Sequence, residues 1–216
     1  MLTVCEIFRS IQGESSWSGK ICSFVRFSGC NLRCSYCDTA YAWEGGTPMA
    51  IEEVLSELKT HKTVRVEITG GEPLIQPEAP GLCRMLLDTG YCVLVETNGS
   101  QDISRLPEGC IRIMDIKCPS SKMAGSFLAS NIGNLRAADE CKFIVTDRRD
   151  FEWACDFVKR HGLLSRCTTC FSPNSALLNP GVLAGWVLAE NIDVRVGIQL
   201  HKVLWGAAGD PKMVHE

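Results

Sequence analysis

Three cysteines lie close together near the N-terminus, at Cys30, Cys34 and Cys37. Their C-x-x-x-C-x-x-C spacing suits a four-iron four-sulfur cluster, because cysteine thiolates hold such clusters through their irons. Three thiolates leave the fourth iron without a protein ligand, and an iron in that state can bind a small chelating molecule. The triplet therefore predicts a reactive cluster with one open position.

Zinc and disulfide alternatives explain the 13 cysteines of the chain less well. A zinc site completes four ligands with a second close pair or a histidine pair. The common spacings of zinc ligands differ from the three and then two intervening residues found here. Disulfide scaffolds belong to much smaller chains. Cys167 and Cys170 form a separate C-x-x-C that could hold zinc or an auxiliary cluster, although the residues around it resemble a buried strand.

Length and composition predict one domain over residues 1–216, with residues 205–216 as a C-terminal extension. The chain has 216 residues and 45% hydrophobic content, enough for a sizeable core. It has no apolar stretch as long as a membrane span and no secretory pattern at its start, so we expect a cytoplasmic protein. A net charge of −3 and no basic cluster argue against a nucleic-acid partner.

Apolar patterning predicts strands alternating with helices. The stripe of Ile51, Val54, Leu55 and Leu58 is typical of an amphipathic helix. Strand after helix, repeated, implies parallel pairing, so we predict an α/β fold with a partial, modified (β/α)6-type barrel of mainly parallel strands. The predicted strands are 21–27, 64–69, 91–97, 111–116, 141–145, 168–172 and 194–200, and the predicted helices are 51–58, 80–89, 150–161 and 180–190.

Polar residues collect where the predicted strands end, which is where active sites of parallel α/β folds lie. Pairs two residues apart share one face of an extended chain. Buried charges are costly unless they meet ligands or each other, although any one pair could be a solvated strand end. The residues concerned are Thr69 to Pro73, Glu96 to Gly99, Asp115 with Lys117, Glu140 with Lys142, Ser172, and Gln199 with His201.

The surroundings of the triplet resemble those of radical S-adenosylmethionine enzymes. Tyr36 supplies an aromatic residue before the third cysteine, and Gly70-Gly71-Glu72-Pro73 is similar to the G-G-E-P motif that binds the methionyl part of the cofactor. The resemblance implies that the open iron chelates S-adenosylmethionine and cleaves it to methionine and a 5′-deoxyadenosyl radical. Considered alone, the two glycines could be only a turn.

Longer motifs narrow the resemblance to 7-carboxy-7-deazaguanine synthase. They are F-R-S-I-Q-G-E-S from residue 8, F-V-R-F-S-G-C-N-L from residue 24, C-D-T from residue 37, E-T-N-G-S from residue 96 and Q-L-H-K from residue 199. This family converts 6-carboxy-5,6,7,8-tetrahydropterin to 7-carboxy-7-deazaguanine with loss of ammonia, toward queuosine and other deazapurines. The resemblance implies a homodimer, magnesium, and an electron donor such as flavodoxin or ferredoxin.

The resemblance also implies which residues bind the cofactor. Cys30, Cys34 and Cys37 would ligate the cluster. Relatives often have Q-P where this chain has Ser172-Pro173, which puts the adenine contacts there in doubt. The other residues expected beside S-adenosylmethionine are Tyr36, Cys37, Asp38, Gly71, Glu72, Asp115, Ile116, Lys117, Ser172, Pro173, Asn174 and Ser175.

For the substrate, the resemblance implies that Gln12, Gly13 and Glu14 hold the pterin ring edge and that Arg26, supported by His201, pairs with the carboxylate. Thr69 would lie next to the substrate. Thr39 would ligate magnesium, with Asp38 assisting through water.

Structural roles stay open for these residues: Gln12 and Glu14 could cap a turn, Arg26 could bridge to Glu14, and Thr39 could cap a helix. At the level of the whole protein, a glycyl-radical-enzyme activase and a non-catalytic iron–sulfur electron-transfer protein are the alternatives. The Q-G-E and C-D-T motifs favour the pterin substrate.

Overall fold

The predicted central strands form the middle of a nine-stranded sheet in the computed structural model, which describes residues 1–206. The spatial order is β3-β1-β2-β4-β5-β6-β7-β8-β9, and the pairs from β2 to β9 are all parallel. Over the described residues the two edge strands do not pair, so the sheet is open. The strands are β1 Leu2–Ile11, β2 Ile21–Phe27, β3 Thr47–Met49, β4 Arg65–Gly70, β5 Cys92–Thr97, β6 Ile111–Asp115, β7 Glu140–Val145, β8 Thr168–Pro173 and β9 Arg195–Val196.

The architecture confirms the predicted α/β fold of mainly parallel strands and adds an antiparallel edge. Strand β1 pairs antiparallel with both β2 and β3, and neither β1 nor β3 was predicted. The β1 sequence mixes polar and apolar residues, so its burial does not alternate cleanly along the strand. Apolar periodicity therefore gave no strand signal there.

The predicted last strand, 194–200, is wrong over most of its length. Only Arg195 and Val196 are extended, and both are exposed at the sheet edge. A Cβ at Gly197 would lie 2.6 Å from the Ser172 hydroxyl, so this position requires a glycine where the chain passes close to β8. A helix then begins at Leu200, and consequently Gln199 and His201 do not share a strand face.

Helices cover the apolar side of the sheet. Val54, Leu55 and Leu58 of the first helix are buried, as the predicted stripe requires. Between β5 and β6 the only helical residues are a 3-10 turn at Ile103–Arg105, so strict strand–helix alternation fails there. In the part of the chain that the structure describes, no helix is long and apolar enough to cross a membrane. The helices are α1 Ile51–Thr60, α2 Ala79–Asp88, α3 Asn131–Asn134, α4 Arg148–His161, α5 Pro180–Glu190 and α6 Leu200–Trp205.

Strand β7 shows how the sheet separates core from site. Cys141, Phe143 and Val145 belong to the hydrophobic core. Phe143 packs edge-to-face against Phe157 of α4, with ring centroids 5.7 Å apart. Because successive side chains of a strand point to opposite faces, Lys142 and Ile144 lie on the other side, where they line a cavity. Helices α1, α2, α4 and α5 thus cover one face and leave the second face for polar groups.

Candidate active site

The polar face of the sheet forms the floor of a cavity of about 750 Å³. Its walls come from the loop after β1, the cysteine loop after β2, the carboxyl ends of the parallel strands and helix α6. Most of the predicted site residues meet here although they are far apart in sequence. Those that line the cavity are Gln12, Gly13, Glu14, Arg26, Cys30, Cys34, Tyr36, Cys37, Asp38, Thr39, Thr69, Gly71, Asp115, Lys117, Asn174 and His201.

The remaining predicted residues do not line this cavity. Glu72 is fully buried, and its carboxylate accepts hydrogen bonds from the Leu74 amide at 3.0 Å, the Thr97 hydroxyl at 2.8 Å and the Asn98 amide at 2.7 Å. These bonds join the turn after β4 to the end of β5, so Glu72 has a structural role. The others outside the lining are Ile116, Ser172, Pro173 and Ser175.

The two glycines after β4 allow the backbone to approach the cysteine loop. The Gly71 amide donates to the Phe27 carbonyl at 3.1 Å, and the Glu72 amide donates to the Gly29 carbonyl at 2.9 Å. A Cβ at Gly71 would lie 2.0 Å from the Gly29 oxygen, and Gly70 has a φ of +137°. The glycine pair therefore fixes the start of the cysteine loop against β4.

The three cysteines of that loop fit a cluster better than a single ion. Cys30, Cys34 and Cys37 all line the cavity and are partly exposed. Within residues 1–206 no three His, Cys, Asp or Glu side chains form a group that could hold one metal ion. A four-iron cube accommodates thiolates that are farther apart, because each can bind a different iron. Burial raises the pKa of the Cys30 and Cys34 thiols, which iron binding would offset.

Two buried polar atoms beside the cysteines also suit a polar ligand. The hydroxyl of Tyr36 and Oδ1 of Asp115 have no hydrogen-bond partner among the described residues. Oδ2 of Asp115 pairs with Nζ of Lys117 at 2.9 Å. Burial first, and then the Asp115 charge, raises the pKa of Tyr36, so the phenol remains neutral. Buried groups of this kind usually have partners, and a bound cofactor would supply them.

Cys167 and Cys170 do not form a second metal site in the described structure. Cys170 lies in β8 with its thiol 3.7 Å from the Ser172 hydroxyl. Cys167 precedes the strand by one residue and interacts with the thiol of Cys141, a core residue. Three residues of extended chain place two side chains on opposite faces, so the pair cannot converge on one ion.

On the substrate side, the loop after β1 meets helix α6. The Gln12 side chain is buried, donates to Glu67 and accepts from the Glu14 amide at 2.6 Å. It therefore does cap the turn, which was one of the open alternatives. The Leu200 amide donates to the Gly13 carbonyl at 2.8 Å, which holds the helix start against the loop. His201 lies directly against Gly13, and burial lowers the pKa of its imidazole.

Arg26 is held by Glu6, and the bridge to Glu14 that sequence left open is wrong. Nε of Arg26 donates to Glu6 at 2.8 Å, and the Tyr41 hydroxyl donates to the same oxygen at 2.8 Å. The guanidinium lies 5.7 Å from the Phe8 ring centroid and 5.9 Å from the Tyr41 ring centroid. Sequence reasoning missed Glu6 and Phe8 because β1 itself was not predicted.

Thr39 does not act as a helix cap, although it precedes a 3-10 turn at Ala40–Ala42. Its hydroxyl makes no capping hydrogen bond and lies 3.7 Å from the Cys37 thiol, which leaves its oxygen available to a cation. The neighbouring Asp38 pairs with Lys202 of α6 at 2.7 Å. A side-chain ion pair therefore connects the cysteine loop to the helix that carries His201.

Lys142 is the centre of a buried charge network beneath the cavity. Its ammonium donates to Glu14 at 2.5 Å and to Glu96, and lies 3.6 Å from Asp115. Burial alone would raise the pKa of Glu14, but the Lys142 charge and hydrogen bonds from Lys142 and Gln199 lower it to about 2. Burial, then the charge of Glu96, raises the pKa of Glu67.

Sequence reasoning gave Glu67, Glu96 and Lys142 no site role. Glu96 and Lys142 were noticed only as polar residues at strand ends, and Glu67 was not noticed at all. The available signal for Glu67 was a carboxylate inside an otherwise apolar strand, since Val66 and Ile68 on either side are fully buried. An acidic residue in such a run requires a polar partner on the other face of the sheet.

The chain is similar to known proteins over most of its length. The profile of the Radical SAM superfamily matches residues 24–115, which include the cysteine loop and Asp115. The 7-carboxy-7-deazaguanine synthase of Koribacter versatilis is 41% identical over 219 aligned positions, covering 94% of this chain and 97% of that protein. The 7-carboxy-7-deazaguanine synthase of Chlorobaculum tepidum is 41% identical, with 94% of each chain covered.

Solved structures support the fold. QueE from Escherichia coli superposes with a TM-score of 0.77 over 93% of this chain and 94% of its own, at 22% identity. SuiB of Streptococcus suis, bound to its precursor peptide SuiA, gives a TM-score of 0.56 at 11% identity, over 78% of this chain and 46% of that one. Both likenesses show the fold, and the first does so over almost the whole chain.

Proposed function

Because the chain belongs to the 7-carboxy-7-deazaguanine synthase family, we propose that it converts 6-carboxy-5,6,7,8-tetrahydropterin to 7-carboxy-7-deazaguanine with release of ammonia. It is a radical S-adenosylmethionine enzyme of 7-deazapurine biosynthesis, the pathway class that leads to queuosine.

One observation carries the proposal: a single cavity holds both the cysteine loop and the groups suited to a pterin acid. Cys30, Cys34 and Cys37 lie on one wall, while Glu14 and Arg26 lie on another. A cluster protein that only transfers electrons has no use for a guanidinium and a carboxylate in the same cavity. A site with both can bind a small molecule that carries a carboxylate and ring N–H donors.

The cluster and S-adenosylmethionine, when bound, supply one-electron chemistry that removes a hydrogen atom from the substrate. The chain's residues bind and orient. Glu14 would accept hydrogen bonds from the N–H groups of the pterin edge, and the backbone beside Gly13 would complete that contact. The substrate would displace water from the cavity where it binds.

Arg26 supports the carboxylate assignment. Within the described residues only its Nε is hydrogen-bonded, so both terminal nitrogens remain for a bidentate contact with the substrate carboxylate. Glu6 and the Phe8 ring hold the guanidinium in orientation. A neutral His201 could add one further hydrogen bond to that carboxylate or accept one from a neighbouring group.

Magnesium is part of the proposal, with Thr39 as its protein ligand. Magnesium keeps several waters and takes few protein oxygens, so one hydroxyl together with substrate oxygens is a reasonable set. Asp38 would contribute through water. Its ion pair with Lys202 at 2.7 Å competes with direct coordination, which supports an outer position.

We also propose a cytoplasmic homodimer that receives electrons from a small donor protein such as flavodoxin or ferredoxin. Free rather than paired cysteines among the described residues suit a reducing compartment. Large apolar side chains are exposed at the end of α5 and in α6, with Leu188 at 80% and Val203 at 70%, and a second copy would cover them. Light scattering measured during size-exclusion chromatography of the protein gives the oligomeric state.

The test is anaerobic reconstitution with iron and sulfide, followed by incubation with S-adenosylmethionine, reductant, magnesium and the carboxytetrahydropterin. Mass spectrometry should detect 7-carboxy-7-deazaguanine and free ammonia. Cys37→Ala should abolish product, whereas Cys92→Ala, a partly buried cysteine at the start of β5, should leave it unchanged. Cofactor cleavage without pterin-derived product would contradict the proposed substrate, and incubation with a glycyl-radical enzyme would then test the activase alternative.

A further inference from the structure

The environment of Lys142 is unusual because its ammonium lies inside the domain. The side chain lies in the middle of β7 and is 3% exposed, and it extends toward the cavity face of the sheet. An ammonium at this depth is stable only when anionic partners surround it. The family resemblance implied no role for Lys142, but its hydrogen bonds and ion pairs indicate one.

The contacts of Lys142 divide unequally among its neighbours. Asp115 already pairs with Lys117 at 2.9 Å, and its distance to Lys142 is 3.6 Å, longer than a hydrogen bond. The two direct hydrogen bonds of Lys142 go to Glu14 and Glu96. Lys142 is therefore the cation that pairs with Glu14 and Glu96, while Lys117 pairs with Asp115.

Glu14 depends on this contact for its charge and orientation. One carboxylate oxygen accepts from Lys142 at 2.5 Å, and the other accepts from the Gln199 side chain at 2.9 Å. The two donors come from different elements, β7 and the start of α6, and each bonds a different oxygen, so they fix the plane of the carboxylate. Without Lys142 a single amide would hold a carboxylate that is only 15% exposed, and burial favours the protonated form.

We propose that Lys142 is a positioning residue that keeps Glu14 as an oriented anion for the N–H groups of the pterin edge. The inference rests on the proposed function, in which Glu14 binds that edge. A carboxylate accepts through both oxygens, whereas a protonated carboxyl donates with one of them and opposes an N–H partner. Lys142 thus determines whether Glu14 presents two hydrogen-bond acceptors to the substrate or one acceptor and one donor.

Other titratable groups face this network, and the experiment has to separate them from Glu14. Glu140, on the same strand, accepts from the amide and hydroxyl of Ser16, which satisfies its carboxylate. Lys142 variants leave these neighbours in place, so a comparison with the parent protein isolates the Lys142 contribution. The groups from other elements are Glu67, Glu96, Asp115, Lys117 and His201.

The experiment compares the parent with Lys142→Met, which keeps the aliphatic stem and removes the charge. Pterin binding is titrated by fluorescence without S-adenosylmethionine, and kcat/KM is measured from pH 5.5 to 8.5. In Lys142→Met the Kd and KM for the pterin should rise by about tenfold or more at neutral pH. The acid limb of kcat/KM should also move to higher pH, because Glu14 takes up a proton there. Cleavage of S-adenosylmethionine in the absence of pterin should change little.

Two further variants control for a merely structural effect. Lys159→Met removes an exposed lysine that pairs with Glu190, and it should leave the Kd and the pH profile at the parent values. Lys142→Met with Glu14→Gln removes the buried charge together with its partner. This double variant should lose the shifted acid limb while binding the pterin weakly. It also supplies the comparison with Glu14→Gln alone if the single Lys142 variant does not fold.

The possible results separate the inference from the proposed function. If Lys142→Met has the parent's Kd and acid limb, the positioning role is overturned even when product forms normally. If the double variant binds the pterin more weakly than Glu14→Gln alone, Lys142 acts on a group other than Glu14 and the inference is also overturned. A parent that binds the pterin without making the deazapurine contradicts the proposed reaction only. A parent that binds no pterin overturns both.

Discussion

The backbone of Gly13 lies against the imidazole of His201, so closely that a Cβ at residue 13 would lie 2.1 Å from Nδ1. No real Cβ contact is that short, and the neighbour here is a side chain fixed at the start of α6. The Q-G-E motif therefore needs glycine at its centre because a helix from the other end of the chain packs onto it. Loop and helix form one substrate wall.

Gly13→Ala should move the His201 ring and raise the KM for the pterin by about tenfold. The reason is that displacing His201 from the substrate lowers the binding free energy by roughly the contribution of one hydrogen bond. The effect should be much smaller in a His201→Ala background, since the clash is then absent and the two changes are not additive. Gly185→Ala, where a Cβ meets no atom within 4 Å, is the matched control. Additive losses in the double variant would contradict the contact.

Arg26→Lys should raise the KM for the pterin by roughly 10- to 100-fold with a smaller change in kcat, because an ammonium cannot make the bidentate contact with a carboxylate. Arg148→Lys, an exposed residue paired with Glu152 at 2.9 Å, should behave as the parent. A substrate analogue without the carboxylate provides the second measurement. It should bind the parent and Arg26→Lys equally, and a continued difference would place Arg26 elsewhere.

Thr39→Ala should raise the magnesium concentration needed for half-maximal turnover by about tenfold, because the only proposed protein ligand is lost. Cleavage of S-adenosylmethionine should continue, since the cluster ligands are intact. Thr47→Ala, in the exposed strand β3, is the control. The same magnesium dependence in Thr39→Ala and the parent would remove Thr39 from the metal site.

Elements with local periodicity were predictable from the sequence. The predicted strand 21–27 coincides with β2, and the apolar stripe of α1 is buried as expected. Strand β1 was missed, and with it Glu6, because cavity-facing polar residues break its pattern. The stretch 194–200 was apolar enough to suggest a strand, yet contacts with β8 and with Gly13 end it after two residues.

The site residues likewise divide into those that the sequence predicted and those that it did not. Cys30 could be assigned to the site because the spacing of its triplet carries chemical meaning, and Arg26 because the motif around it resembles that of the family. The pairs that set their charge join distant positions: Gln12 to Glu67 across 55 residues, and Glu14 to Lys142 across 128. Such pairs depend on sheet order and register, which a single sequence does not specify.

Glu72→Gln should destabilise the protein by about 1–3 kcal/mol, because the amide group would face a backbone N–H that now donates to a carboxylate oxygen. The Asn98 amide at 2.7 Å and the Leu74 amide at 3.0 Å donate to different oxygens, so no amide orientation satisfies both. Urea unfolding of the apoprotein measures the difference. Glu52→Gln, on the exposed face of α1, should have no effect, and equal stability of the two variants would show that Glu72 is not a structural tie.

Glu67→Gln should leave the fold and pterin binding near the parent values, because an amide resembles the protonated carboxyl that burial favours at this position. The folded pKa of Glu67 is raised above its ordinary value of 4.5, so the folded protein holds the proton more tightly than the unfolded chain. Its stabilising contribution is full below that value and is lost as the pH rises through the raised pKa.

The parent should therefore lose stability relative to Glu67→Gln as the pH rises above 4.5, by a few degrees in Tm. Thermal unfolding across that range measures the difference, and Glu52→Gln should follow the parent at every pH. If the parent and Glu67→Gln remained parallel, Glu67 would be ionised in the folded protein. The ionised Glu67 would then add a negative charge that the contacts with Gln12 and Lys142 do not balance.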